Sequence, residues 1–117
     1  MENMSTPLVS VIVPTFMRGD IAVNTVQKYH EIFMNFQRNI TDFSFDLILI
    51  DDNSAEADFE LLATALEPHA HLIRNKTNLG PGPSRNLGIN LSGSDWIWFL
   101  DDDDSLDPTN AEIVVRE

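Results

Sequence analysis

Trp96-Ile97-Trp98-Phe99-Leu100-Asp101-Asp102-Asp103-Asp104 passes from apolar residues to four consecutive carboxylates with nothing between them. The aromatic and β-branched half reads as a buried strand over Asp95 to Leu100. The acidic half needs a counter-charge, because adjacent carboxylates about 5 Å apart repel by roughly 3 kcal/mol at an effective dielectric of about 20. With 19 acidic residues against 7 Lys and Arg, a bound cation is the economical candidate. An all-oxygen set selects hard ions such as magnesium, manganese or calcium. The competing reading is a solvated acidic turn, with Asp104 to Asp107 favouring the positive end of a helix that starts at Pro108. Placement directly after a strand weighs against it, since ligands of open α/β sheets sit outside the carboxyl ends of the strands.

The same transition occurs earlier. Leu8 to Val13 is a β-branched strand that ends at Pro14 and Thr15, and Phe45 to Ile50 runs straight into Asp51-Asp52-Asn53-Ser54. One carboxylate of that pair is expected to order the loop, the other to face a ligand N–H or hydroxyl; an ordinary Asx turn is the plain alternative. Between the strands, Ala22, Val26, Tyr29, Phe33 and Phe36 recur at helical spacing after a possible N-cap at Asp20. A shorter helix is expected over about Asp58 to Leu66 with Pro68 as its stop, a weak strand at His71 to Arg74, and a helix over Ser84 to Leu91 behind the turn Asn78 to Pro83. Pro108 to Val115 reads as a final helix. Strands alternating with helices predict an α/β sandwich with a mainly parallel sheet, whose strand ends gather Thr15, Asp51, Asp52 and Asp101 to Asp104 on one edge.

Composition narrows the partners. One domain over residues 1–117 is the starting expectation from the length and a hydrophobic content of 43%. The formal charge of -12 argues against a nucleic-acid partner, whose phosphates call for Lys and Arg. The absence of cysteine excludes a disulfide framework and thiolate-held metals. No apolar run reaches the roughly 20 residues of a membrane helix, and Met1 to Ser5 lacks the features of a secretory signal. A cytoplasmic location is the default, with membrane association left open for a longer form. Gly80-Pro81-Gly82 lacks the dinucleotide fingerprint and no Walker lysine occurs. Arg85 could meet a phosphate or the acidic run, or simply pair with a surface aspartate. His30, His69 and His71 are expected at the surface or core edge, and Trp96 and Trp98 in the core.

Taken together, Val9-Ser-Val-Ile-Val-Pro-Thr-Phe16, Leu49-Ile-Asp-Asp-Asn-Ser54, Asn78-Leu-Gly80 with Ser84-Arg-Asn-Leu-Gly-Ile89, and Phe99-Leu-Asp-Asp-Asp-Asp104 with Pro108 resemble the nucleotide-sugar-binding half of family 2 glycosyltransferases, which have the GT-A fold. Each motif alone is weak; four in order are specific. The resemblance implies metal-dependent, inverting transfer of a sugar from a nucleotide-diphosphate donor, commonly a UDP-sugar, to an unknown carbohydrate, lipid or protein acceptor. It implies that Pro14 and Thr15 line the nucleoside pocket, that Asp52 accepts from the base, and that Asp102 lies near the ribose. It gives Asp101 and Asp103 to Mn2+ or Mg2+ as the outer residues of an Asp-X-Asp motif, and Gly80 and Arg85 to the wall around the nucleotide. In that family the general base lies downstream of the Asp-X-Asp strand, so no catalytic base is nominated, and the sequence is expected to be truncated after that strand and weakly active or inactive alone. A non-catalytic binding fragment is the near alternative. Phe99 to Leu106 is also similar to the first motif of haloacid dehalogenase-type phosphatases, with Asp101 as nucleophile and Asp103 as acid/base, and Leu47 to Ser54 with Asp101 fifty residues later to a receiver domain phosphorylated at Asp101. Both need a later lysine for which too little sequence follows.

Overall fold

A computed structural model describes residues 7–67 and 69–116. The chain alternates β1 (Val9–Thr15), α1 (Gly19–Asn39), β2 (Phe45–Asp51), α2 (Glu56–Leu66), β3 (His71–Arg74), α3 (Pro81–Leu91), β4 (Trp96–Phe99) and α4 (Pro108–Arg116). All pairings are parallel, in the order β3-β2-β1-β4. The predicted α/β class is therefore observed. Strand order reverses beside β1, because β2 and β3 are laid down on one side of it and β4 on the other, and such a switch point opens a crevice at the strand ends.

Alternation along the strands divides the core in two. Val9, Val11, Val13, Leu47 and Leu49 face a cluster with Ala22, Val26, Tyr29, Phe33 and Phe36 of α1, Leu62 and Leu66 of α2 and Ala111 of α4. Ile12, Ile48 and Ile50 point the other way, against Leu87 of α3. Helix α3 comes close there because Gly88 carries no Cβ, which would stand 2.6 Å from Ile12 Cγ2.

Several expectations change. The helix of Phe33 begins at Gly19 with Arg18 at the N-cap and no side-chain cap, so Asp20 lies in the first turn, where its charge still suits the helix end. α2 starts at Glu56, and α3 at Pro81, whose fixed φ suits a first helical position. Pro68 lies outside the described residues. The largest correction concerns β4: it pairs with β1 alone among the described residues, so it is an edge strand and not a buried one. Trp98 packs edge-on against Phe33 at 5.4 Å, but Trp96 is 67% exposed at the outer end and is not core. An apolar run marks a strand; it does not count the strand's neighbours. Among the described residues no helix is long and apolar enough to cross a membrane.

Candidate functional site

The ends of β1, β2 and β4 open together on a cavity of about 400 Å³ lined by Pro14, Thr15, Phe16, Arg18, Asp52, Pro81, Ser84, Arg85 and Asp101 to Asp103. The sheet ladder continues into these corners: Asp52 N–H donates to Thr15 O at 2.9 Å, and Leu100 N–H to Ile12 O at 3.1 Å. Residues far apart in sequence are thus held on one rim by backbone pairing.

The β2 corner is built from buried, fully engaged carboxylates. Asp51, with no exposed surface, accepts from Ser54 N–H at 3.0 Å and from Ser54 Oγ–H at 2.6 Å. The same Ser54 Oγ accepts Met17 N–H at 2.7 Å, which ties the loop after β1 to the loop after β2. Asn53 takes a positive φ of 67° at the turn, tolerable for an asparagine. Arg74 reaches across with Nη2 on Ser54 O at 2.7 Å and Nη1 on Glu56 at 3.0 Å, its guanidinium over the Phe59 ring.

Asp52 binds the glycine loop. Its Oδ1 accepts Leu79 N–H at 2.7 Å and Asn75 Nδ2–H at 2.8 Å, and its Oδ2 accepts Gly80 N–H at 2.8 Å. Burial by itself would raise this carboxyl's pKa, but the hydrogen bonds from Leu79, Asn75 and Gly80 outweigh it and hold the group below the usual carboxylate range. Gly80 has φ +92° and free space where a Cβ would go, so its need for glycine is conformational. From that conformation its N–H serves Asp52 while its carbonyl accepts Ser84 N–H at the start of α3.

The β4 corner is different. Asp102 is buried and accepts from Thr15 Oγ1–H at 2.7 Å, stitching β4 to β1. Its neighbours face outward. Asp103 pairs with Arg18, Nη1 to Oδ2 at 2.9 Å, and Asp101 lies 3.8 Å from Arg85 Nη2. From the core, Tyr29 O–H donates to the Asp101 carbonyl at 2.6 Å; burial, with the four aspartates adding to it, pushes that phenol well above its ordinary pKa. Among the described residues no three histidines, aspartates or glutamates converge on one point. The donors on offer to an ion are therefore one or two carboxylates of a single turn. That set fits magnesium or manganese, which are held by one or two carboxylates with water and a ligand's phosphates filling the rest.

Of the residues expected at this site, Pro14, Thr15, Asp52, Arg85, Asp101, Asp102 and Asp103 line the cavity and Gly80 lies behind Asp52, whereas Asp51 and Asp104 do not line it. The expectation that one carboxylate of the β2 pair orders the loop through Asn53 and Ser54 is met by Asp51 on Ser54, whereas sequence reasoning missed Arg18, Asn75, Ser84 and Tyr29. Arg18 carried a signal, being a cation three residues past a strand end in an acidic chain. The polar supports behind Asp52 carried none. The three histidines lie elsewhere: His30 stacks on His69 at 4.3 Å, and both border a separate cavity with His71.

Two sets of known proteins are similar to this chain. An uncharacterized glycosyltransferase of Haemophilus influenzae is 38% identical over 76 residues, 65% of this chain and 25% of its own length. The succinoglycan biosynthesis protein ExoO of Rhizobium meliloti is 31% identical over 110 residues, 94% of this chain and 29% of its own length. The chain thus spans between a quarter and a third of these relatives. Among solved structures, S. aureus TarS in complex with UDP-GlcNAc superposes with a TM-score of 0.72 at 20% identity, over 92% of this chain and 30% of that one. A mannosyltransferase of Pyrobaculum calidifontis in complex with GDP-Man and Mn2+ superposes with a TM-score of 0.74 at 16% identity, over 97% of this chain and 32% of that one. At these identities the likeness establishes the fold, the GT-A type that the motifs led us to expect. The sequence profile described as Glycosyl transferase family 2 matches residues 10–117, a span that includes every residue lining the cavity, and the chain belongs to that family.

Proposed function

We propose that residues 1–117 form the donor-binding unit of a glycosyltransferase that takes a nucleotide-diphosphate sugar, with a divalent metal, and passes the sugar to a carbohydrate, lipid or protein acceptor. The observation that carries this reading is the cavity at the switch point, where two arginines and four aspartates line a space of about 400 Å³. Arginines suit phosphate oxygens, and carboxylates suit a hard cation that would screen them from the phosphates. The neighbours' UDP-GlcNAc and GDP-Man support the donor class. A UDP-sugar is the first expectation.

In this reading Pro14 and Thr15 line the nucleoside side. Asp52, held ionised and oriented by Leu79, Asn75 and Gly80, offers a remaining acceptor position to the base. Asp102 braces the ribose side through Thr15. Asp101 and Asp103 would hold Mn2+ or Mg2+, while Arg85 and the Gly80 loop close the wall beside the diphosphate. The bound metal supplies Lewis-acid stabilisation of the departing diphosphate. The bond from the sugar's anomeric carbon to phosphate oxygen breaks with its electron pair going to that oxygen. The acceptor hydroxyl oxygen forms the new bond with inversion and gives up its proton; no residue of this chain is assigned as the base.

The test is thermal. UDP, or GDP as the alternative, should raise the melting temperature in the presence of manganese or magnesium and not with chelator, and Asp103→Ala should abolish the shift. Equal stabilisation in chelator, or by the variant, would remove the metal from this reading.

A further inference from the structure

We propose that Arg18 is an exchangeable counter-cation of the acidic turn: it neutralises Asp103 while the turn holds no divalent ion, and binds the donor's diphosphate once Asp103 turns to the ion. This rests on the donor reading above. The guanidinium spans two neighbouring carboxylates, with Nη1 2.9 Å from Asp103 Oδ2 and Nε 3.9 Å from Asp102 Oδ2. It therefore occupies the electrostatic role that the aspartate run demands of a cation. Both partners of the shorter contact are nearly half exposed, 43% and 45%, so the pair is screened by water and weak enough to exchange.

Only the side chain needs to move. Arg18 O accepts the N–H groups of Ile21 and Ala22 at the start of α1, and Met17 before it is pinned to Ser54, so the backbone is held from both sides. Released from Asp103, the guanidinium stays on the wall of the same cavity, at the positive end of a 21-residue helix and in company with Arg85. A planar, permanently charged fork there matches phosphate oxygens. Only 7 Lys and Arg balance 19 acidic residues in this chain, and two of the seven face this one cavity.

The exchange makes opposite predictions for two ligands, which a merely structural ion pair does not. In Arg18→Gln, manganese alone should bind roughly two- to fivefold more tightly, because its competitor for Asp103 is gone. UDP and GDP, titrated at saturating manganese, should bind about tenfold more weakly, because a charged donor to phosphate is lost. Uridine and guanosine should be unaffected. The gain in manganese affinity must vanish when Arg18→Gln is made in an Asp103→Asn background, which separates this site from the other acidic residues. Arg18→Lys, which keeps the charge, should restore most of the wild-type manganese affinity. An unchanged melting temperature in Arg18→Gln is expected from its exposure. If wild type binds UDP or GDP with manganese and Arg18→Gln matches it, or if manganese weakens in the variant, the assignment to Arg18 is overturned alone. If wild type shows no manganese-dependent binding of either nucleotide, the donor reading falls and takes this inference with it.

Discussion

The chain ends two of its strands in runs of aspartate, and the two corners behave oppositely. After β2, Asp51 and Asp52 are buried, and every oxygen that faces the protein accepts a hydrogen bond from Ser54, Asn75 or the glycine loop. After β4, Asp101 and Asp103 are exposed and lean on arginines at the cavity wall. Equal chemistry is used once for construction and once for presentation. A buried carboxylate with satisfied partners shapes a loop, whereas exposed carboxylates with weak partners remain available to a ligand.

Breaking each corner should therefore register in different measurements. Asp51→Ala should have the largest effect on stability, about 3 kcal/mol by urea unfolding, because it leaves Ser54 N–H and hydroxyl and the nearby Arg74 without their buried acceptor. A loss under 1 kcal/mol would mean that the β2 corner is not held as described.

Asp52→Asn should follow at about 2 kcal/mol, since an amide presents one oxygen where the carboxylate presents two to Leu79, Asn75 and Gly80. It also carries a pH signature. The carboxyl's pKa is lowered on folding, so its stabilisation is full above its unfolded value of about 3.9 and is lost as pH falls through the depressed folded value. Acid unfolding curves of wild type and Asp52→Asn should converge as pH drops below about 4; parallel curves would contradict the assignment.

Tyr29→Phe sharpens the comparison from the other side. It removes the hydrogen bond that ties the Asp101 carbonyl to the core, and about 1 kcal/mol of stability with it. Hydrogen exchange should quicken in the Asp101–Asp104 turn and not in the Asp51–Ser54 loop. Smallest in stability is Asp103→Asn, within about 0.5 kcal/mol of wild type, as befits an exposed group. Its effect should appear instead as loss of metal-dependent nucleotide binding, measured by calorimetry.

Most of the fold was legible because hydrophobic periodicity is local. The face of α1 from Ala22 to Phe36 and the alternation in β1 and β2 reflect packing that neighbouring residues must satisfy together. Errors clustered where the deciding contact is remote. Trp96 reads as core by type, yet its exposure depends on what stands beside β4. Nor does the sequence show that Gly80, at a φ of +92°, donates its N–H to Asp52, 28 residues away. In the site, the acidic residues and Arg85 were visible because their placement after strands or turns is unusual. Asn75 and Ser84 are ordinary polar residues until folding buries them behind Asp52.

Spacing along the chain was enough to read the alternation of strands and helices and the strand ends at which a ligand site is expected, and four motifs in order were enough for the family. Local sequence gives the two runs different expected roles but does not tell which of Asp51, Asp52 and Asp101 to Asp103 are buried, because each is one of a run of like carboxylates after an apolar strand. Folding decided this: Asp51 is enclosed, Asp52 and Asp102 are buried and engaged yet line the cavity, and Asp101 and Asp103 face it exposed. It did so through contacts that span up to 87 residues, Thr15 on Asp102 and Arg18 on Asp103. Desolvation and hydrogen-bond partners set what a carboxylate can do, and both are properties of the assembled fold.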